Sequence, residues 1–346
     1  MKNNTQEDSM LQSETITKYR FPFSPFPNGW FRVAGSDEIH PGEVKPIYYF
    51  GKDLVLFRTE EGKAHVFDAY CPHIGAHLGH GGKVKGETIQ CPFHGWCYDG
   101  NGQCSEIPYS SKIPPNAQIQ AWPVREINGM IWVYHHADKE APHWEIPKFP
   151  ECYSEEWVPL SLVYQWKIRT HVQEIPENLV DSAHFAHVHH QYGGAGEVED
   201  FKPGDTIFRA FVKIPFTYSH LQFLSIKIFG QELQATGTFD FYAMGFGTLR
   251  GLTKPVEYNL FMLHTCTPID DEHIELTVLF SMKPFINRFV TNLLVKSNLR
   301  RFKAVIEEDI DLWEKKLYHT HPLLCQGDGP IKPLRNWAAK FYSKQE

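Results

Sequence analysis

Two short stretches decide how the first half of the chain folds: CPHIGAH at residues 71–77 and CPFHGW at residues 91–96. Each supplies one cysteine and one histidine, as Cys-x-His in the first and Cys-x-x-His in the second. The two pairs are separated by the 17 residues from 74 to 90. Thiolates and imidazoles in close pairs are metal ligands, so the sequence predicts a metal site held by two loops.

The pairing indicates which metal group the loops hold. A Cys₂His₂ set can bind zinc, but zinc sites usually take two cysteines from one turn and two histidines from a helix. Here each loop gives one of each, which is typical of a Rieske [2Fe–2S] cluster. In that reading Cys71 and Cys91 bind one iron and His73 and His94 bind the other. Structural zinc remains the alternative.

The chain around these loops predicts an all-β domain. From about Phe21 to His136, short apolar runs alternate with turn signals such as Asn128-Gly129. The predicted strands include Ile47–Phe50, Leu54–Phe57, Ala64–Phe67 and Met130–Tyr134. Residues 137–151 are rich in proline and charge and predict a linker.

The second half has a different pattern of apolar residues, which predicts an α+β domain in which helices flank an antiparallel sheet. Its longer apolar runs predict strands, and two segments predict helices. The strands are expected at Ile207–Pro215, Leu221–Ile228 and Ile274–Phe280, and the helices at Asn178–His187 and Phe285–Tyr318. We therefore divide the chain into a flexible tail (1–20), a cluster domain (21–137) and a second domain (138–346).

Residues 177–190, ENLVDSAHFAHVHH, predict a second metal site, although a solvated histidine-rich turn is the alternative. Asp181 and His184 are three residues apart and share a helical face, so the acid could orient the imidazole. His184 and His187 also share a face. His184 and His189 lie roughly 140° apart on an ideal helix, so His189 could join the site only if the helix ended between them. Helical geometry alone slightly favours His187.

A carboxylate is expected as the third ligand, because two histidines and one carboxylate leave positions open on iron. On the second predicted helix, Asp309 falls within about 60° of each member of an apolar stripe. That stripe comprises Phe302, Val305, Ile306, Leu312 and Trp313. A buried carboxylate needs a metal or a strong partner, and a salt bridge to a buried Lys or Arg is the alternative. Glu307, Glu308 and Asp311 are expected to be solvated.

The composition limits the classes of protein to which the chain can belong. The chain has 346 residues, 42% hydrophobic content and a formal charge of −7, which predicts a globular protein and argues against a nucleic-acid-binding surface. We find no signal peptide and no apolar run near the ~20 residues of a membrane helix, so we expect a soluble, cytoplasmic protein. Seven cysteines in that setting favour metal ligation over disulfides.

The motifs resemble those of Rieske oxygenases, in the group of 3-ketosteroid 9α-hydroxylases and cholesterol 7-desaturases and more distantly arylamine N-oxygenases. The resemblance covers nearly the whole chain from about residue 21 and implies a helix-grip arrangement of the second domain. Its most specific stretches are DAYCPHIGAHLGHGG, CPFHGWCYDGNGQCSEIPY, EINGMIWVYHH, EIPENLVDSAHFAHVH and EEDIDLWEKKLY, followed by DGPI.

The resemblance implies roles for individual residues. The family pattern Asp-x-x-His-x-x-x-x-His assigns His184 and His189, rather than His187, to a mononuclear Fe(II), and a later Asp falls on Asp309. Asp181 would link the two metal centres across a subunit boundary, since family members form head-to-tail rings, commonly homotrimers. Electrons would come from NAD(P)H through a separate reductase or ferredoxin.

The implied function is hydroxylation or desaturation of a bulky hydrophobic, sterol-like or polycyclic substrate. Arylamine N-oxygenation or O/N-dealkylation is the alternative chemistry on the same scaffold. A Rieske electron carrier without oxygenase activity is the alternative from another class, and it would leave Asp181, His184, His189 and Asp309 without a role. Aromatic runs at Phe223–Phe229 and Phe239–Phe246 could line a pocket, although simple core is the commoner role.

Overall fold

The computed structural model describes residues 20–189, 197–214, 234–254 and 258–343. The predicted tail (1–20) lies almost wholly outside the described residues, as do the predicted strand Leu221–Ile228 and the aromatic run Phe223–Phe229.

The first half is built from short antiparallel strands, as the alternation of apolar runs and turns predicted. Its strands are β1 Gly29–Gly35, β2 Val44–Tyr49, β3 Lys52–Arg58, β4 Ala64–Asp68, β5 Lys83–Lys85, β6 Thr88–Gln90, β7 Cys97–Tyr98, β8 Cys104–Glu106, β9 Val124–Ile127 and β10 Met130–His135. They form three sheets, ordered β1-β10-β9, β2-β3-β4 and β5-β6-β7-β8. The first metal loop lies between β4 and β5, and the second joins β6 to β7.

The second half contains one seven-stranded antiparallel sheet, which confirms the predicted fold class. The strands are β11 Ser161–Ile168, β12 Glu197–Pro203, β13 Ile207–Ile214, β14 Gln234–Tyr242, β15 Phe246–Lys254, β16 Tyr258–Pro268 and β17 Ile274–Met282. Their spatial order is β11-β17-β16-β15-β14-β13-β12.

Three α-helices accompany the sheet in the part of the chain described: α1 Glu174–Val180, α2 Arg288–Lys315 and α3 Ile331–Ala338. Single 3₁₀ turns occur at Ser36–Glu38, Pro150–Cys152, His184–Ala186 and Ala339–Phe341. The long predicted helix is α2, but the prediction of one helix over Asn178–His187 was wrong. That helix begins earlier, ends at Val180, and is followed by an extended Asp181 (ψ 92°) and a separate 3₁₀ turn.

Helix α2 packs across one face of the sheet. Phe302 contacts Phe280 of β17, with ring centroids 5.5 Å apart, and Asp309 and Trp313 are buried on the same side of the helix. The stripe prediction was wrong for Leu312, which is 48% exposed. Helix α3 contributes Trp337, whose ring lies 5.5 Å from that of Phe208. The contact between Phe302 and Phe280 therefore holds the part of α2 that carries Asp309 against the sheet.

The two halves share a core in which Trp30 and Trp132 lie against the sheet of the second half. A Cβ atom at Gly245 would lie 2.0 Å from the carbonyl oxygen of Trp30, so only glycine permits this approach. The predicted linker is packed rather than loose, since Ile146 and Phe149 are buried in the same cluster. Within the described ranges, no helix has the length and apolar character needed to span a bilayer.

Candidate metal centres

The two loops of the first site have nearly the same backbone. In each, the cysteine carbonyl accepts a hydrogen bond from a glycine four residues later, at 2.9 Å for Gly75 and 3.1 Å for Gly95. Both glycines have positive φ, +81° and +73°, which suits the residue that lacks a Cβ. The cysteine amides in turn donate to the carbonyls of Ala76 and Trp96, at 2.9 and 2.8 Å. The loops therefore present their ligands as two matching turns.

The two thiols lie together beneath the surface. Cys71 is 2% exposed and Cys91 is 3% exposed. Burial raises the pKa of Cys71, and the neighbouring Cys91 raises it further, although a hydrogen bond with Tyr98 opposes both effects. The hydroxyl of Tyr98 lies 3.0 Å from Sγ of Cys71. A buried thiol such as Cys71, whose pKa is raised, becomes a stable thiolate when a metal neutralises its charge.

The histidines complete the set. The rings of His73 and His94 are 4.7 Å apart, and His73 stacks on Trp96 at 4.5 Å. Both residues are only half-buried, yet the Nδ1 atom of each is fully buried and has no hydrogen-bond partner. Such atoms are costly unless something binds them, so the donor set fits a metal cluster held through Nδ1.

The second site depends on the break after α1. Because Asp181 is extended, the chain leaves the helix axis before it forms the 3₁₀ turn that carries His184. A turn at residues 187–188 follows, and His189 is fully buried while His187 is exposed. The 140° separation expected on a continuous helix therefore never arises, and the helical argument for His187 does not hold in this structure.

His184, His189 and Asp309 converge. One possible ligand atom from each lies within 4.8 Å of the other two. The two imidazole rings are 5.1 Å apart, and Nε2 of His189 lies 3.4 Å from Oδ2 of Asp309. Asp309 is 4% exposed and its Oδ1 is buried without a hydrogen-bond partner. Within the described residues no Lys or Arg pairs with it, so the donor set fits a cation.

His184 is oriented by the main chain. Its Nδ1 contacts the carbonyl oxygen of Asp181, so Nε2 points into the site. The expectation that the Asp181 carboxylate would orient this ring is wrong, because its Oδ1 instead accepts from the amide of Ala183 at 3.2 Å. Burial raises the pKa of Asp181 and lowers that of His184. The Asp181 side chain lines a surface pocket with Lys316 and Tyr318.

His189 is oriented by a carboxylate that we expected to be solvated. Oε2 of Glu308 lies 2.8 Å from Nδ1 of His189, so the prediction that Glu308 points away from the site was wrong. Burial by itself lowers the pKa of His189, but Asp309 and then Glu308 outweigh it and the net pKa is raised. With Nδ1–H donated to Glu308, Nε2 faces Asp309, which is the arrangement of a metal-binding imidazole. Glu307 behaves as expected and pairs with Lys303 at 3.5 Å.

Asn178 was missed by sequence reasoning. Its Nδ2 lies 3.2 Å from Oδ2 of Asp309 and 3.3 Å from Nε2 of His184, so one amide touches two members of the triad. It lies in the Glu177–His190 stretch already singled out, six residues before His184. An asparagine amide is not a usual iron ligand. The position of Asn178 in the sequence therefore gave no reason to select it.

Two family models match the chain. The model for the Rieske [2Fe-2S] domain covers residues 29–123, and the model for the 3-ketosteroid 9α-hydroxylase C-terminal domain covers residues 133–342. The matched ranges contain both metal centres. A zinc site and a simple electron carrier are therefore disfavoured, since the second domain is that of an oxygenase.

Curated relatives agree with the domain models. Cholesterol 7-desaturase nvd 1 of Ciona intestinalis is 33% identical over 336 residues, covering 92% of this chain and 69% of its own. The probable 3-ketosteroid-9-alpha-monooxygenase oxygenase component of Rhodococcus rhodochrous is 29% identical, covering 93% and 81%. Among solved structures, dicamba monooxygenase bound to dicamba superposes with a TM-score of 0.72 at 18% identity, over 91% of this chain and 97% of that one. The last comparison shows a shared fold.

Proposed function

Since the chain belongs to the Rieske oxygenase family of cholesterol 7-desaturases and 3-ketosteroid 9α-hydroxylases, we propose that it oxidises a bulky hydrophobic, sterol-like substrate. The protein is the oxygenase component of such a system. The observation that carries this reading is the buried convergence of His184, His189 and Asp309 in a chain that also carries the Rieske loops.

The metal groups supply the redox chemistry: a [2Fe–2S] cluster takes single electrons from a reductase or ferredoxin, and Fe(II) activates O₂. We assign Cys71 and Cys91 to one iron of the cluster, and Nδ1 of His73 and of His94 to the other. Burial of Cys71 and Cys91 excludes water from the thiolate side. Exposed apolar side chains nearby, Ile74 at 58% and Phe93 at 62%, offer a contact surface for a partner.

At the second site we assign His184, His189 and Asp309 as the ligands. The Asp181 carbonyl and the Glu308 carboxylate hold the Nδ1 protons, so both Nε2 lone pairs face the site. Asn178 holds Oδ2 of Asp309 in place. With three protein ligands, a bound Fe(II) would keep positions open for O₂.

We further propose that Asp181 links the two centres between subunits of a homotrimer. Its carboxylate is not used to orient His184 and instead lines a pocket open to the surface. A half-exposed histidine of the cluster domain, His73 or His94, from a neighbouring subunit could donate a hydrogen bond there. With the predicted domain boundary between residues 137 and 138, the cluster domain of one subunit would lie next to the second domain of its neighbour.

Iron analysis tests the site assignment. Purified wild-type protein should contain about three irons per chain and a Rieske absorption spectrum, because both centres are filled. About two irons with the same spectrum would contradict the mononuclear site. A colourless zinc protein would contradict both centres.

Product analysis tests the substrate class. The purified oxygenase, a surrogate reductase and NADH are incubated with sterols, 3-ketosteroids and arylamines. An alcohol or an alkene formed from a sterol or ketosteroid supports the proposal. Turnover of arylamines alone would replace it with N-oxygenation.

A further inference from the structure

The start of α2 displays apolar side chains to solvent. Ile286 is 80% exposed, Phe289 is 72% exposed and Leu293 is 53% exposed. They lie close together, since Phe289 and Leu293 are one helical turn apart and Ile286 precedes the N-cap residue Asn287. Single exposed apolar residues are ordinary, but three adjacent large ones form a patch that needs a partner.

The backbone holds this patch outwards. Ile286 has a φ of +59°, which is unfavourable for a β-branched residue. The preceding residue, Phe285, is fixed by the buried hydroxyl of Thr291, which lies 2.9 Å from its amide and 3.1 Å from its carbonyl. With Phe285 packed against the core, the strained turn places Ile286 on the outside. The exposure of the patch is therefore built into the fold.

Positive charge accompanies the apolar residues. Residues 276–306 contain no Asp or Glu, although the whole chain has a net charge of −7. Arg288, Lys296 and Arg300 are exposed and make no ion pair within the described residues. Phe289, Lys296 and Arg300 fall on one helical face at i, i+7 and i+11, so the apolar end continues into a basic stripe about 16 Å long.

We propose that this α2 patch (Ile286, Phe289 and Leu293 with Arg288, Lys296 and Arg300) binds the surface of an anionic lipid bilayer. Its apolar side chains would enter the acyl boundary while the unpaired cations meet lipid phosphates, which is how interfacial helices bind. The side chains protrude from a helix end rather than line a recess, which suits a deformable lipid surface better than a folded partner. One further support rests on the proposed function, since a bulky apolar substrate partitions into the bilayer.

Flotation of the full-length holoprotein with vesicles tests the proposal. We expect binding to phosphatidylcholine vesicles that contain phosphatidylserine, and much weaker binding to phosphatidylcholine alone. Each cation near an anionic surface strengthens binding about fivefold, so K296Q/R300Q should lose about 25-fold. F289S/L293S should lose about tenfold or more, because less apolar surface is inserted. Added salt should weaken wild-type binding.

Matched controls use exposed residues elsewhere. L323S/L324S changes two leucines, of which Leu323 is fully exposed, and K112Q/K332Q changes two exposed lysines that make no ion pair in the described part of the chain. Both controls should bind vesicles as the wild type does. Every variant should keep the cluster spectrum and iron content, which reports its fold.

Three results would overturn the proposal. The first is wild-type protein that does not bind anionic vesicles, and the second is α2 variants that bind as well as the controls. The third is a change in the molecular mass of F289S/L293S by sedimentation while the wild type binds no vesicles, which would assign the patch to contact between copies. Binding is measured without substrate or turnover, so failure of the substrate proposal leaves it standing.

Discussion

The two metal centres of this molecule differ in how far apart along the chain their ligands lie. The ligands proposed for the Rieske cluster come from residues 71–94, on two turns that repeat the same hydrogen bonds. The ligands proposed for the mononuclear iron come from the segment after α1 and from the middle of α2, and they converge because α2 packs on the sheet. The first centre is specified locally, whereas the second is a product of tertiary packing.

The difference extends to the residues that support each centre. Backbone amides and positive-φ glycines shape the Rieske loops, with one side chain, Tyr98, reaching a ligand sulfur. The second centre relies on side chains and a carbonyl from separate elements, including Asn178 and Glu308. Substitutions should therefore act on one centre without the other, and with different severity.

The largest effect is expected from Asp309→Ala. The variant loses the only carboxylate of the triad, so it should bind about two irons per chain and form no product. The cluster spectrum should be unchanged, because the Rieske loops contain all their own ligands. Turnover at the wild-type rate would remove Asp309 from the site, and loss of the spectrum would show that the two centres are not independent.

Glu308→Gln should weaken the mononuclear site less severely. The carboxylate fixes the orientation of His189 and makes the imidazole a better donor, and loss of such a partner typically costs 10–100-fold in metal affinity. Titration of the iron-depleted site with Fe(II) or Co(II) measures this directly. Gln can still accept a hydrogen bond, so Glu308→Ala should lose more.

Its neighbour provides the control. Glu307 is exposed and pairs with Lys303, so Glu307→Gln should leave metal affinity unchanged. Equal losses in Glu307→Gln and Glu308→Gln would mean that helix charge, rather than the contact with His189, supports the site.

The contrast between the centres also explains which features were predictable from the sequence. Cysteine and histidine spacing indicated the Rieske loops and their sheet because those ligands are local. Burial of Asp309 beside the histidines was predictable because a lone carboxylate interrupts an apolar stripe. His189 needed the family pattern, since helical spacing favoured His187 and could not anticipate the extended Asp181.

The role of Glu308 and the existence of helix α3 depend on tertiary contacts, which the spacing of apolar residues in the sequence does not show. Glu308 is an exposed residue of α2 next to the buried Asp309, and its carboxylate reaches His189, a residue from a separate part of the chain. Helix α3 carried a usable signal, the apolar spacing of Ile331, Leu334, Trp337 and Ala338, but it is only eight residues long. Short helices gain most of their stability from packing, which the sequence pattern shows weakly.

Acid should weaken both halves of the molecule through buried histidines. His135 in the cluster domain and His264 on β16 each have a pKa lowered to about 4 by burial. An unfolded histidine takes up its proton near pH 6.5, so between pH 6.5 and 4 the unfolded state binds more protons and stability rises with pH. Each histidine contributes a slope of at most ~1.4 kcal/mol per pH unit.

Urea unfolding at several pH values measures these slopes. His135→Gln and His264→Gln should each flatten the fall in unfolding free energy below pH 6.5, because the residue no longer titrates. A slope unaltered in the two buried variants would mean that other groups, such as paired carboxylates, control acid unfolding.

The smallest effect should come from Tyr98→Phe, which removes one hydrogen bond to a cluster ligand and keeps the ring. When Cys71 is a thiolate, the Tyr98 hydroxyl donates to its sulfur, 3.0 Å away. Reduction adds negative charge to the cluster, so this bond stabilises the reduced state more than the oxidised state, and its loss should lower the reduction potential. A hydrogen bond to a charged acceptor contributes about 1.5–3 kcal/mol, and only the part by which it is stronger in the reduced cluster shifts the potential, at about 60 mV per 1.4 kcal/mol for one electron. The reduction potential and the metal affinity of the mononuclear site are measured for the wild type and for Tyr98→Phe. Only the reduction potential should differ between them. An unchanged potential would mean that backbone amides, rather than Tyr98, set the charge balance of the cluster, and a change in metal affinity would show that the centres communicate within one subunit.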